Sequence, residues 1–176
     1  MIRDSEIAVS VTLGVIFLIV FVHFRRLKST LIVLMPVIAG VLFMMGIMAV
    51  FGIKLNLYNM VVLPAILGIG VDNGVHLYHR YREEGRGSIL LVLRNTGGPV
   101  LMTTLTTMVG FGGMIFADHQ GLNSIGELAL IGLGTCLVMS LVGLPALLQL
   151  LEDWEKDSTQ QSESAPRTER SEGPIF

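Results

Sequence analysis

Asp72 is the residue best placed to do chemistry in this chain. It sits in Gly68-Ile69-Gly70-Val71-Asp72-Asn73-Gly74-Val75-His76-Leu77-Tyr78-His79-Arg80-Tyr81-Arg82-Glu83-Glu84, near the end of an otherwise apolar run. A charged group in hydrocarbon costs about 3 kcal/mol on insertion scales, so such groups face a bundle interior or a watery cavity and mark ion or substrate paths. On a helix, Asp72, His76 and either His79 or Arg80 share one face, at i, i+4 and i+7 or i+8. Burial raises a carboxyl's pKa, and a nearby cation or hydrogen bond lowers it. A carboxyl balanced between the two loads and releases a proton near neutral pH. The competing reading is an acid held in a static network with Asn73 or a threonine. His76 has two open readings, relay member or hydrogen-bond partner of a neighbouring helix. His79 and Arg80 read as interfacial anchors.

A second polar stripe follows. Thr103, Thr104, Thr106 and Thr107 lie in the next apolar run. Threonines in membrane helices bond back to their own backbone or across to a neighbour. Thr103 and Thr107 share a face, which makes them the expected partners of Asp72. Glu127 reads as a solvated acid at a helix start, with guarding an outer entry as the alternative.

The elements that must position these groups are long and apolar. The 176 residues are 52% hydrophobic and 15% charged, with mean hydropathy +0.69, against roughly 25% charged residues in soluble domains. Five runs are long enough to cross a bilayer, at about 7–24, 29–51, 58–80, 98–117 and 124–151. In lipid each must be a helix, so the fold class is all-α, a polytopic five-helix transmembrane bundle over 1–151. Gly68, Gly70 and Gly74 read as packing positions where backbones approach closely. Pro36, Pro64 and Pro145 fall within runs two, three and five. The stretch 88–94 is either a short surface helix or an inward extension of run four.

Charge sets the orientation. Arg25, Arg26, Lys28, Arg80, Arg82, Arg86 and Arg94 lie on one side, and Arg3 and Lys54 on the other. The basic side is expected in the cytoplasm, with the N-terminus outside and the acidic C-terminus inside. The first run has an acidic leader, Met1–Glu6, and its basic cluster follows it, so it reads as a span and not a signal peptide. Residues 152–176 read as a disordered cytoplasmic tail.

The same residues argue against several classes. Cys136 is the single cysteine, so no disulfide framework or cysteine metal site is expected. No basic patch suggests nucleic acid. No nucleophile–base pair, metal cage or nucleotide loop suggests an enzyme, and no cofactor is expected.

The motif Gly68-x-Gly70-Val71-Asp72-Asn73-x-x-His76-x-x-His79-Arg80-Tyr81-Arg82-Glu83-Glu84 resembles the fourth or tenth transmembrane helix of RND-superfamily transporters. It is nearest the MMPL, hopanoid-exporter and Patched-like branch, which shares the sterol-sensing-domain bundle. Thr103-Thr104-Leu105-Thr106-Thr107-Met108-Val109-Gly110-Phe111 resembles that family's next helix. The likeness covers about 7–151 and is closest to helices eight to twelve, the C-terminal set. It implies proton-driven export of a hydrophobic or lipid-like molecule from the inner membrane. It places a proton relay on Asp72 and Asn73, with His76, Thr103 and Thr107 alongside. The implied partners are membrane lipids, the substrate, protons, and a missing N-terminal half or an oligomer. Many members carry Tyr or Asp after the acid; here Asn73 leaves one titrating group in the pair. The alternatives are a non-pumping lipid- or sterol-sensing-like bundle, and a split half that completes a partner subunit.

Overall fold

Helices account for nearly all of residues 2–163, the part described by the computed structural model, and no strand occurs among them. We number them α1 (Ile2–Phe24), α2 (Leu27–Phe51), α3 (Leu63–Glu84), α4 (Ile89–Phe116) and α5, which starts at Gln120 and ends at Glu163. One extra helical turn, Leu57–Met60, precedes α3. Each of the five apolar runs is therefore helical. By length and apolar composition alone, α2, α4 and α5 suffice to cross a membrane. Asp72 and the polar run His79–Glu84 dilute α3, and the apolar part of α1 is the shorter Ser10–Phe24.

Local chemistry explains where the helices stop and bend. Gly52 ends α2 in the left-handed region at φ 68°, its N–H bonded to Met48 O. Gly85 (φ 85°) ends α3, and Gly87 (φ 80°) completes the turn to α4. Left-handed φ values of this kind suit glycine, which has no Cβ to clash. Pro64 lies in the first turn of α3, where its missing N–H removes no hydrogen bond.

Pro99 and Pro145 are handled differently. A proline ring clashes with the carbonyl four residues back. Those carbonyls belong to Asn95 and Leu141, and each lies in a π turn, Leu93–Gly97 in α4 and Met139–Gly143 in α5. The wider turn takes up the clash without breaking the helix. The two π turns adjoin, since a Cβ on Gly97 would lie 3.5 Å from Leu141 Cδ2. Residues 89–97 run straight into the rest of α4, so the stretch 88–94 extends that helix and is not a separate surface element.

The core forms where α2, α3 and α5 meet. A Cβ added to Gly40 would lie 3.0 Å from Cys136, and one on Gly70 would lie 3.2 Å from it. Gly74 packs against the Val33 carbonyl, where a Cβ would come within 3.1 Å. Close backbone approach through small residues is how helices associate in lipid, where hydrophobicity gives no drive between them. Met44, Ile66 and Leu128 fill one half of the core, and Val33, Leu77 and Leu144 the other. The outer faces remain apolar: Val50, Val109 and Phe116 are among many exposed large hydrophobics, as a lipid-facing surface requires.

Polar bonds tie both ends of the bundle. At the end carrying the arginines, Tyr78 OH donates to Ser29 Oγ (3.0 Å). There too, Glu152 Oε1 accepts from Tyr81 OH (2.5 Å) and the Gly87 N–H (3.1 Å). At the other end Asn56 Nδ2 donates to Ser124 Oγ (2.8 Å) and Asn123 Nδ2 to Ile115 O (2.7 Å). Glu152 is part of α5, which continues past the apolar boundary at 151 to Glu163. Residues 152–163 of the tail expected to be disordered are therefore helical, and its remainder, 164–176, lies outside the described residues.

Candidate functional site

Helix α3 presents two unlike faces. One face, with Ile66, Gly70, Asn73, Gly74 and Leu77, is buried against α2 and α5. Asp72 is turned away from it and exposed. There α1 and α3 leave a groove of about 460 Å³. Its walls are apolar, with Ile16, Ile19 and Val20 from α1 and Ala65 and Val75 from α3 among them. Asp72 and His23 are the two polar side chains in that lining. Gly68 stands one turn before Asp72 on the same face, and a Cβ there would meet nothing within 4 Å. It keeps the groove open beside the acid, whereas Gly70 and Gly74 sit at helix crossings.

Asn73 is the buried polar residue of the pair. Its Nδ2 donates to Thr104 Oγ1 at 3.1 Å, joining α3 to α4. The Thr104 hydroxyl is also 2.9 Å from Val100 O and donates to it within its own helix. Thr104 is 1% exposed, so this bond lies in the dry interior.

The other threonines point elsewhere. Thr103 Oγ1 reaches Pro99 O and Val100 O, each at 3.1 Å. Thr106 Oγ1 bonds Met102 O (2.8 Å) and Thr107 Oγ1 bonds Thr103 O (2.9 Å). The structure does not bring Thr103 and Thr107 to Asp72: Thr104 is the threonine that crosses to α3, and it meets Asn73. His76 is exposed and stands outside the groove lining. Glu127 is exposed near the start of α5.

Two further features were not singled out by sequence reasoning. His23 closes the groove from α1, and its ring lies 5.8 Å from that of His79. A second groove, of about 350 Å³, lies between α1, α2 and α3 and is lined by apolar residues alone, Leu13, Met45, Met48 and Leu63 among them. Among the described residues no group of three His, Cys, Asp or Glu side chains is placed to hold a metal ion. A carboxyl in an apolar groove is chemically able to take up and release a proton. The amide–hydroxyl pair one residue on is suited to holding helices together.

Comparison with known proteins gives a consistent set. Residues 1–171 match the MMPL family model. A membrane protein of Methanocaldococcus jannaschii is 33% identical over 158 residues, covering 85% of this chain and 40% of that protein. The hopanoid transporter HpnN of Burkholderia multivorans is 28% identical over 133 residues, covering 76% of this chain and 15% of the transporter. The cobalt-zinc-cadmium resistance protein CzcA of Cupriavidus metallidurans is 29% identical over 180 residues, covering 93% of this chain and 16% of that protein. The chain thus spans 40% or less of the length of each of these relatives.

Proposed function

This chain belongs to the MMPL family, and on that footing we propose that it forms the membrane bundle of a proton-motive-force-driven exporter of hydrophobic or lipid-like molecules. Asp72 carries the proton. The observation behind this reading is its exposure in the α1–α3 groove, outside the hydrogen bonds that hold the core. The Asn73–Thr104 bond is the fixed tie that holds α3 to α4. The exposed His76 keeps its place beside the relay. Thr103 and Thr107 contribute by shaping α4, not by bonding Asp72.

All five helices span the inner membrane, with the arginine-bearing end in the cytoplasm. The N-terminus then lies outside and the C-terminal tail inside. The relative that is a hopanoid transporter supports a lipid-like cargo. The short coverage of every relative supports a second bundle as partner, whether another part of a longer chain or another subunit. Transport, not enzymatic turnover, is the activity.

The test is Asp72→Asn in the complete transporter, with gradient-driven efflux of a panel of lipophilic dyes as readout. Efflux falls to background while membrane abundance and thermal stability hold. Efflux that survives the substitution would falsify the relay. A second reading, a lipid-binding bundle that does not pump, is favoured by the wholly apolar groove along α2. It predicts photo-crosslinking of lipid to Met45 that is indifferent to a proton gradient.

A further inference from the structure

We propose that His23, His79 and Glu83 form the path by which the Asp72 proton reaches the arginine-bearing end of the bundle. The inference rests on the reading of Asp72 as proton carrier, and extends it to residues on a different helix. A proton held in an apolar groove needs acceptors at short intervals to leave it. His23 is the one other polar side chain lining that groove. Its ring centroid lies 5.8 Å from that of His79, a separation that one water bridges. His79 Nδ1 is in turn 3.4 Å from Glu83 Oε1. His79 and Glu83 are 52% and 49% exposed, so the path ends in solvent.

Spacing fits the same route. Asp72 and His79 are seven residues apart on α3, about 10 Å along the axis. That is too far for one transfer, and His23 enters from α1 to break it into two. Imidazole suits the task because its ordinary pKa of about 6.5 lets it take and give a proton near neutral pH.

The balance is simple. The Asp72 carboxyl gives its proton, through groove water, to neutral His23, leaving a carboxylate and an imidazolium. His23 passes the proton to His79 and returns to neutral. His79 releases it to Glu83 or to water. No bond other than O–H and N–H changes, and Asp72 is left as a carboxylate, ready to take the next proton.

The charged groups around His23 are named from each packed element. From α3 these are Asp72, His79 and Arg82, whose guanidinium lies 6.0 Å from the Phe24 ring centroid. Arg25 and Arg26 follow in the turn to α2, and Lys28 lies in the first turn of α2.

The experiment is a pH jump on the complete transporter in lipid nanodiscs, followed by infrared absorption of protonated carboxyls. Asp72→Asn identifies the Asp72 band by its loss. His23→Ala slows the response of that band at least about a hundredfold, the lower end of the range for a lost proton-transfer group. Free imidazole in the buffer restores the rate, which a purely structural defect would not allow. His23→Gln serves as the second variant, since it keeps a polar side chain but carries no proton. His79→Ala slows the band as well, by a smaller factor. An Asp72 band that responds as fast in all three variants as in the parent overturns the path and leaves the Asp72 reading intact. If Asp72→Asn removes no titrating band, both readings fall together.

Discussion

Asp72 and Asn73 are neighbours in the chain with almost equal side-chain size, yet α3 turns them to opposite surroundings. On the core face Asn73 is 5% exposed and bonded to Thr104, with Gly70 and Gly74 in helix contact around it. On the groove face Asp72 is exposed beside Gly68 and an opening of about 460 Å³. One face is saturated with partners, and the other offers space. A polar group with fixed partners stabilises an architecture, and a polar group with room can change state. The helix keeps the two roles one residue apart.

Exchanging the two residues is the hardest test of that contrast. The double variant Asp72→Asn/Asn73→Asp moves the carboxyl into the dry interior against Thr104. An ionised carboxylate there is costly and tends to protonate instead. Folding stability is expected to drop by about 3 kcal/mol or more, read as a lower thermal midpoint and reduced yield in membranes. Asp72→Asn alone leaves the midpoint in place. Equal stability of the two variants would erase the distinction between the faces.

A smaller effect is expected from Gly74→Val. Its new side chain would press on the Val33 carbonyl, a backbone atom that cannot rotate away. The cost is about 1–3 kcal/mol, as for overpacking elsewhere. Smaller still is Asn73→Ala. Thr104 keeps its bond to Val100 O, so only the interhelical bond is lost. Such bonds in membranes average about 0.6 kcal/mol, and a shift of that size in unfolding free energy is expected. Gly68→Ala closes the series. Its Cβ meets open space, so stability is unchanged or rises by a few tenths of a kcal/mol from helix propensity. Activity reports on it better, because the added methyl narrows the groove at Asp72.

Much of the architecture was legible because lipid leaves few options. Long apolar runs must be helices, and each of the five runs is helical, although α4 begins at Ile89 and α5 runs on to Glu163, beyond the expected bounds. Rotation about each axis was harder to read, because helices that are apolar all round declare no inner face. On α3 the glycines did hold the answer. At about 100° per residue, Gly74 and Asn73 fall beside Gly70, whereas Asp72 falls near the opposite side with Gly68. Grouping all three glycines as one packing set hid that split. On α4 the choice of Thr103 and Thr107 missed Thr104 by one residue, a rotation that only the contact with Asn73 decides. His23 was passed over because a histidine at the end of an apolar run looks like an interfacial residue, and its approach to α3 is a tertiary fact. The π turns were open to discovery through Pro99 and Pro145, but a proline announces a disturbed turn without saying which kind.

The Glu152 carboxylate has a practical consequence for how the chain is divided. Hydropathy ends the last apolar run at 151, one residue before the group that receives both Tyr81 OH and the Gly87 amide. A fragment trimmed by hydropathy would retain every membrane-embedded residue and lose its clasp. The Gly85–Ser88 turn, built on two left-handed glycines, would then come loose from α5. A reporter fused after 151 and one fused after 154 would thus be attached to two mechanically different bundles, although a hydropathy plot draws them alike.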